Sequence, residues 1–572
     1  MIRRKGASSS LKNHHRTFRS GGTAAIAQSR LLLVGGVFAL VFLIVIFRLF
    51  EVTILGYKGD NEANARHHGD RVNFARRANV VDRNGELIAV NLQTASLYVN
   101  PHLIFEPEKV ARELHLVLPE FSEKALLTKF HGTGSFYWIK RNLTPKEQYA
   151  VNALGVPGLQ FRDEEGRIYP QGRLFSHVLG YVGIDGQGLS GIEKHFNKRL
   201  IKNSDEPLQL SLDVRVQSAL YQEIQEYMEL FRARAAIGVV MDVNTAEVLG
   251  MVSFPDFDPH NPLMASQDAL FNRATLGVYE QGSTFKTFTM AMGLDTRKID
   301  MESSYDVATP IKIGRFSITD THPKNGWMSV PEIYIHSSNI GTAKVALDIG
   351  VDTQRKYLGK LGLLSPLTLE LPECGKPLLP SKWEKTTSIT VSFGHGIAVT
   401  PLHVAQATSA VVNGGIFHEA TLLKHDTMSR GTMVVSEKTS ENIRRLMRMT
   451  VEKGTGKRGN VEGYLVGGKT GTAEKPGKGG YDRKAMLSSF VAVFPMNQPR
   501  YLVMVSLDEP KGTRETGGFA TGGMTAAPVV RNVIARIAPL LGLMPVDEQD
   551  KDTSNELYVK NDSTGRFQLA AF

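Results

Sequence analysis

The run Leu31-Leu-Leu-Val-Gly-Gly-Val-Phe-Ala-Leu-Val-Phe-Leu-Ile-Val-Ile-Phe47 constrains this chain more than any other stretch. Seventeen consecutive uncharged, apolar residues have no stable place on the surface of a water-soluble domain. Extended by Leu49 and Phe50, the run can cross a bilayer as one helix, with Arg48 snorkelling at its far end. The thirty residues before it hold Arg3, Arg4, Lys5, Lys12, Arg16, Arg19 and Arg30 and no Asp or Glu. The positive-inside rule therefore predicts a cytoplasmic basic tail over 1–30, a transmembrane anchor over 31–50, and an extracytoplasmic remainder. A cleaved signal peptide is the competing reading. The apolar run is long for one, and no small-x-small cleavage site follows Phe47, so an uncleaved single-pass anchor is expected. The charge also reads differently once the tail is set apart. Of the net +10, the tail carries +7, which leaves +3 for everything else. No general basic surface remains, and nucleic acid is not expected as a partner.

A chain of 572 residues is too long for one hydrophobic core, so the extracytoplasmic part is expected to divide. Residues 51–205 read as an α+β scaffold, beginning with a connector at 51–70. Arg76-Arg-Ala-Asn-Val-Val-Asp-Arg-Asn-Gly-Glu-Leu-Ile-Ala89 is strand, turn and strand, with Asp82 to Gly85 supplying the turn chemistry. Short strands such as 95–99 and helices such as 108–116 follow, with Gly and Pro interrupting throughout and no catalytic cluster. A boundary is expected near Lys202-Asn-Ser-Asp-Glu-Pro207. Beyond it the pattern predicts a strand (208–212), a helix (214–231) and an apolar hairpin turning at Asn244-Thr-Ala-Glu247. Helices occupy the middle (341–347, 353–361), and strands return at 466–472, 488–494 and 501–507. A last helix covers 527–541. Strands from both ends with helices between them predict one antiparallel sheet flanked by helices over 206–545, an α+β domain. Residues 546–572 are polar, acidic at first (Asp547, Glu548, Asp550, Asp552), and read as a disordered tail.

The chemistry concentrates at Tyr279-Glu-Gln-Gly-Ser-Thr-Phe-Lys-Thr-Phe-Thr-Met-Ala-Met-Gly-Leu294. A loop closes on Gly282 and opens a helix. Ser283 stands in its first turn, and Lys286, three residues on, shares its face. With Phe288, Met290, Met292 and Leu294 buried, the lysine loses solvation and becomes easier to deprotonate. A neutral amine beside a hydroxyl is a base–nucleophile pair. Ser-x-x-Lys alone is a common pattern, and Ser9-Ser-Leu-Lys12 is a second copy in the polar tail. Two further segments matter. In His336-Ser-Ser-Asn-Ile340, Ser337 and Asn339 can aim a hydroxyl and an amide at one place. Lys469-Thr-Gly-Thr472 ends a strand, where Lys469 gives a fixed positive charge, Thr470 and Thr472 give hydroxyls, and Gly471 lets a substrate approach the backbone. Taken alone, Lys469-Thr-Gly471 is an ordinary strand end. A second Ser-x-Asn, Ser440-Glu-Asn442, reads as the N-cap of a helix over 441–451. Gly454-Thr-Gly-Lys-Arg-Gly459 matches a dinucleotide-binding fingerprint but comes after a helix and leads into a strand, the reverse of the required context. Cys374, the only cysteine, is read as inert. His14-His15 and His67-His68 lack ligand spacing, so no metal site is expected.

Ser-x-x-Lys at a helix start, Ser-x-Asn in a mid-domain loop and Lys-Thr-Gly on a late strand stand here in the order characteristic of one constellation. In this the chain resembles the penicillin-binding proteins. Residues 76–89 resemble the family's R-G-x-I-x-D-R-N-G segment, with Ala78 for the usual Gly. Arg167 to Gly172 resembles the R-x-Y-P-x-G segment of the class B pedestal. Tyr279 to Lys286 resembles Y-E-P-G-S-T-F-K, with Gln281 for Pro. Ser392-Phe-Gly-His-Gly396 and Thr400-Pro401 resemble the core segment after Ser-x-Asn. The resemblance implies a class B pedestal (dimerisation-type) domain followed by a transpeptidase domain of serine β-lactamase-like fold. It implies a septal, division-specific D,D-transpeptidase that cross-links peptidoglycan stem peptides through a serine acyl-enzyme and is acylated by β-lactams. An elongation-specific relative, a D,D-carboxypeptidase or β-lactamase, a β-lactam sensor and a non-enzymatic division scaffold are the alternatives. By resemblance, Ser283, Lys286, Ser337, Asn339 and Lys469 are catalytic. Lys469, Thr470, Gly471 and Thr472 meet the substrate, and the backbone N–H groups of Ser283 and Thr472 form the oxyanion hole. No cofactor is implied. A membrane glycan polymerase and other division proteins are expected to meet the span and the pedestal, with the catalytic domain on the outer side of a bacterial inner membrane.

Overall fold

The computed structural model describes residues 36, 39–46, 77–313, 316–320, 323, 326–425, 430–477, 480–548, 559–561 and 567–569. Residues 1–73 and 74–572 are separate compact units. In the first, residues 36 and 39–46 are helical. The rest of the expected span 31–50, the basic tail and the connector 51–70 lie outside the described residues. Among the described residues no helix is long and apolar enough to cross a membrane.

The second unit opens with β1 (Val80–Val81), β2 (Leu87–Val99), α1 (Pro107–Val117), α2 (Glu123–Phe130), β3 (Tyr137–Leu143), α3 (Pro145–Ala153), β4 (Leu159–Ile168) and β5 (Leu208–Gln209). The helices start where the chain supplies caps. Ser122 accepts from Ala125 N–H, and Thr144 and Glu147 form a reciprocal capping box behind Pro145. The thirteen-residue β2 is the spine: β3 and β4 both pair with it antiparallel. Leu97, Val99, Leu114, Leu118, Leu126 and Phe130 make a core of their own beneath it.

Two devices tie this region to the helices and sheet of the C-terminal domain. The Asp82-Arg-Asn-Gly85 turn is a bracket as well as a turn. The buried Asp82 carboxylate accepts from Asn84 N–H and Glu86 N–H, and also from Val214 N–H at the start of the next domain's first helix, 3.1 Å away. β1 runs parallel to β5, so both ends of the region meet in one sheet. Nearby, Glu193 is fully buried between two guanidiniums: Arg77 Nη2 at 2.7 Å and Arg167 Nε at 2.6 Å. Removing one partner from such a cluster leaves an uncompensated buried charge. Glu193→Ala is expected to destabilise the unit by about 3–5 kcal/mol, read as a lower midpoint of denaturant unfolding. A midpoint unchanged from wild type would show that the cluster is not structural.

The remainder comprises α4 (Val214–Leu230), β6 (Ala235–Asp242), β7 (Val248–Phe254), α5 (Lys286–Asp295), α6 (Val330–Ile335), α7 (Asn339–Ile349), α8 (Val351–Lys360), α9 (Lys385–Ser392), α10 (Pro401–Val412), α11 (Glu437–Glu452), β8 (Gly467–Gly477), β9 (Gly480–Phe494), β10 (Tyr501–Asp508) and α12 (Ala526–Leu540). The expected antiparallel sheet is present, in the order β8-β9-β10-β6-β7, with β8 at an edge. Its two faces follow from alternation within β6. Ile237, Val239 and Met241 join the core with Phe288, Met290 and Met292 of α5. Ala236 and Val240 join the opposite core with α4 and α12. Gly238 lets α4 come close, since a Cβ there would lie 2.2 Å from Ile224 Cδ1. Each such buried aliphatic side chain contributes roughly 1.5–3 kcal/mol.

Several expectations need correction. The strand expected over 208–212 is two residues long. Leu210 pairs instead with Leu423, and Asp213 N–H bonds Leu249 O, so three partners share that backbone. The helix expected at 441 begins a turn earlier, because Ser436 caps it. Ser440 is therefore inside α11, where its Oγ accepts from Gly414 N–H. Nor is the tail wholly unstructured from 546. Val546 N–H bonds Gly463 O, Glu548 accepts from Gly463 N–H and pairs with the buried Arg448 at 2.9 Å, and 559–561 pairs with 567–569. A buried guanidinium on α11 gives Glu548 a partner that local composition does not reveal.

Candidate active site

Ser283 stands where three backbones meet with no side chain between them. A 3-10 turn (Gly282–Phe285) carries it and runs directly into α5, so the serine precedes the α-helix proper. Gly282 has φ +55°, and a Cβ there would lie 2.8 Å from Thr472 O on β8. Gly282 N–H bonds Gly394 O at 3.2 Å, and a Cβ on Gly394 would strike Gly282 O. Positive φ and the lack of space both demand glycine at these positions. Gly471 serves the same packing. Its missing Cβ would lie 2.9 Å from Gln281 O and Thr284 Cγ2, so the close approach it permits is to the serine's own loop, not first to a substrate.

Lys286 is fully buried. Its Nζ donates to Ser337 O (2.5 Å), Ser337 Oγ (3.1 Å) and Asn339 Oδ1 (2.7 Å). Ser337 is held in the left-handed region (φ +59°) between α6 and α7, a conformation that costs a non-glycine residue about 1–3 kcal/mol. Asp320 holds it there. The carboxylate accepts from Ser338 Oγ (2.6 Å), Asn339 N–H (2.5 Å) and Ile340 N–H (3.0 Å), capping α7. Asn339 gives one amide hydrogen to Thr319 O (3.1 Å) while its Oδ1 faces Lys286, and its second amide hydrogen has no acceptor among the described residues.

Lys469 reaches the same hydroxyl from β8, donating to Ser337 Oγ at 3.0 Å with its Nζ 5.6 Å from the centre of the buried Tyr334 ring. Two buried amines thus share one serine oxygen. Desolvation holds Lys286 well below the ordinary lysine range, and the charge of Lys469 lowers it further, against an opposing pull from Asp320. Burial pushes Lys469 down to about 7. The expectation of a fixed positive charge at Lys469 is therefore corrected: it titrates near neutrality, because the fold removes its water without giving it a carboxylate. Two ammoniums this close repel, so the pair gives up a proton more readily than either lysine would alone.

Thr470 and Thr472 share the other side of β8. Thr470 Oγ1 lies 2.7 Å from Thr455 Oγ1, and Thr472 Oγ1 accepts from Gly522 N–H at 3.1 Å. Thr455 belongs to the glycine-rich decoy. Cβ atoms on Gly454 and Gly459 would meet Ile335 O at 2.6 Å and the Phe490 ring at 2.4 Å, so those glycines serve packing. The structure thus brings Lys286, Ser337, Asn339 and Lys469 into one hydrogen-bonded group and sets Ser283 against Thr472 through Gly282. Sequence reasoning missed Asp320, Tyr334 and Thr455. Asp320 and Tyr334 sit in no motif, and Thr455 sits in one that points to a different chemistry; each acts through a contact with another segment. Cys374 is half-buried with its thiol pushed up to about 11 by burial, which makes it a poor nucleophile. Among the described residues no cluster of three or more His, Cys, Asp or Glu side chains is spaced to hold a metal ion.

Two family models match the chain: the penicillin-binding protein dimerisation domain over residues 72–204 and the penicillin-binding protein transpeptidase domain over residues 236–535. The chain is 41% identical over 481 residues to the probable peptidoglycan D,D-transpeptidase FtsI of Caulobacter vibrioides, covering 82% of each. It is 32% identical to the probable peptidoglycan D,D-transpeptidase PenA of Neisseria meningitidis, over 82% of this chain and 85% of that protein. With the peptidoglycan D,D-transpeptidase FtsI of Escherichia coli it shares 26% identity, over 86% and 88%. Its fold is similar to that of penicillin-binding protein 3 of Mycobacterium tuberculosis, solved with aztreonam (TM-score 0.66, 22% identity, 82% of this chain and 97% of that one). It is also similar to a peptidoglycan synthetase of Bifidobacterium adolescentis (TM-score 0.64, 21% identity, 83% and 97%). With a dimerisation domain and a transpeptidase domain in one chain and relatives named FtsI over more than four fifths of it, this protein belongs to the class B penicillin-binding proteins of the FtsI type.

Proposed function

We propose that this chain is a septal peptidoglycan D,D-transpeptidase that joins stem peptides through an acyl-enzyme on Ser283. The observation that carries the reading is the shared hydroxyl of Ser337, held between Lys286 and Lys469 beside the serine's loop. Neutral Lys286 takes the Ser283 proton as Oγ attacks the carbonyl of the penultimate D-Ala. The oxygen becomes an oxyanion held by the backbone N–H groups of Ser283 and Thr472, and one such donor typically contributes about 10²–10³ in rate. As the C–N bond breaks, Ser337 passes the proton from Lys286 to the departing D-Ala amine. Lys469, charged when an anion arrives, binds the terminal carboxylate with Thr470 and Thr472, and Asn339 offers its second amide hydrogen to the substrate's peptide carbonyl. An amine on a neighbouring stem peptide then attacks the ester. Its proton returns along the same path, Ser283 regains its hydrogen, and a new amide replaces the old. β-Lactams acylate Ser283 by the first half of this sequence.

The chain is proposed to divide into a cytoplasmic tail (1–30), a transmembrane anchor (31–50), a pedestal (51–205), a transpeptidase domain (206–545) and a C-terminal segment (546–572). The uninterrupted apolar run and the basic residues before it support one crossing of the inner membrane with the catalytic domain outside. The span and pedestal are the surfaces proposed to meet a membrane glycan polymerase and other division proteins.

The test supplies the purified protein with a D-Ala-D-Ala pentapeptide and an amine acceptor. Cross-linked product, together with a long-lived penicillin adduct, is expected. Free tetrapeptide as the only product, with rapid release of penicilloate, would make the protein a hydrolase instead.

A further inference from the structure

Beside the serine's loop, three side chains that the catalytic steps do not use gather together, and two of them keep a polar atom buried without a partner among the described residues. Glu280 precedes Ser283 by three residues. Its Oε1 accepts from Gly396 N–H (2.7 Å) and from the Tyr481 hydroxyl (3.0 Å), while Oε2 is buried with no partner among the described residues. His395 is next in the chain to the Gly394 that packs on Gly282. Its ring meets the Tyr481 ring edge-on at 5.6 Å, and its Nδ1 is also buried without a partner. Tyr481 stands on β9 opposite Pro476 of β8. Burial raises its pKa, as do the charge and hydrogen bond of Glu280 and the charge of Glu474, so its hydroxyl stays a donor. The Lys475 ammonium is already taken by Asp508 (2.9 Å) and Glu509 (2.8 Å). A carboxylate oxygen out of water and without a donor is costly, and a cation with N–H groups is the species that relieves it.

Position along β8 says which cation. An extended substrate lies beside this edge strand with its terminal carboxylate at Lys469, Thr470 and Thr472 and its scissile carbonyl at Ser283. The residue on the amino side of D-Ala-D-Ala then falls beyond Thr472, toward Glu474 and Pro476, at about 3.3 Å of strand per residue. Glu280, His395 and Tyr481 are at that end. Cross-linking requires a side-chain amine on the acceptor stem peptide. Donor and acceptor are copies of one polymer unit, so the donor carries the same amine, unreacted and protonated at neutral pH.

We propose that Glu280, His395 and Tyr481 form a recognition subsite for the free primary ammonium of the donor stem peptide's diamino residue. Glu280 Oε2 accepts one N–H. The imidazole, with its hydrogen on Nε2, accepts a second at Nδ1. Tyr481 and Gly396 hold the carboxylate in place. The proposal rests on the transpeptidase reading above and adds its donor specificity.

The experiment compares two pentapeptide donors ending in D-Ala-D-Ala, identical except that the diamino residue's side-chain amine is free in one and acetylated in the other. D-Ala release gives kcat/KM for each, and benzylpenicillin acylation is followed in parallel. The wild-type protein is expected to prefer the free amine by about tenfold, the order of one charge-assisted hydrogen bond. In Glu280→Gln the preference falls to about one, with the loss on the free-amine donor. In Tyr481→Phe, which removes one of the two donors to Oε1, it falls part of the way. Equal rates for the two donors in wild type would overturn the proposal. So would a Glu280→Gln protein that loses both donors and benzylpenicillin acylation in equal measure, since Glu280 would then only support the loop. Failure of benzylpenicillin to acylate the wild-type protein would instead sink the transpeptidase reading itself.

Discussion

Ser283→Ala removes the covalent penicillin adduct completely. Incubated with a fluorescent penicillin and digested, the wild-type protein carries the label on the peptide containing Ser283, and the variant carries none. The expected loss is total because the acyl bond has no other oxygen in the right place. Ser337 Oγ already accepts from both buried lysines, and the Thr284 hydroxyl donates to Gln281 O on the loop behind. The variant should still fold, since Ser283 is only half-buried and the turn is held by the Gly282–Gly394 and Gly282–Thr472 backbone contacts. A change in unfolding free energy within about 0.5 kcal/mol is expected for such a site. Label found on another residue of the folded variant would move the nucleophile elsewhere.

The second large effect belongs to Lys286. Lys286→Ala is expected to slow acylation by about 10²–10⁴, the usual contribution of a positioned proton acceptor. The rate of the wild-type protein should rise with pH as Lys286 loses its proton, and the variant should lose that limb. For substrates with a terminal carboxylate, a second limb falls as pH rises through about 7, where Lys469 loses its charge. Stability carries the same signature. Both lysines have folded pKa values below their unfolded ones. Between the two values the unfolded chain binds protons that the folded chain does not, so wild-type stability rises with pH toward the ordinary lysine range and levels off above it. Denaturant unfolding at pH 7 and pH 9 should show a smaller rise in Lys286→Ala than in wild type. Equal acylation rates in the two proteins would remove Lys286 from the chemistry.

Local pattern and tertiary contact contributed different things to this protein. The apolar strand Ala235–Asp242, the helix Val214–Leu230 and the Asp82–Gly85 turn were legible because each is specified by short-range composition and turn chemistry, and each element forms close to where it is expected. The reactive groups were legible for the same reason: Ser283 and Lys286 are three residues apart, Ser337 and Asn339 two apart, Lys469 and Thr470 adjacent. Element ends were less so. Ser440 reads as a cap until Ser436, one turn earlier, starts the helix. The acidic start of the tail reads as disorder until Glu548 finds Arg448, a hundred residues away in sequence.

Charge state and orientation belonged to the tertiary structure alone. Nothing near Lys469 in sequence removes its water; Tyr334, Ser337 and the strands beside it do, and a lysine read as a fixed cation becomes one that titrates near 7. Asp320 holds the strained Ser337 loop across nineteen residues that carry no motif. Glu280, His395 and Tyr481 come from three separate segments, and Glu280 Oε2 and His395 Nδ1 lie buried without partners among the described residues only once those segments close on one another. Sequence spacing determined which functional groups this protein has. Desolvation and hydrogen bonding between distant segments are properties of the packed chain, and they decided which of those groups is neutral, which is strained and which still lacks a partner.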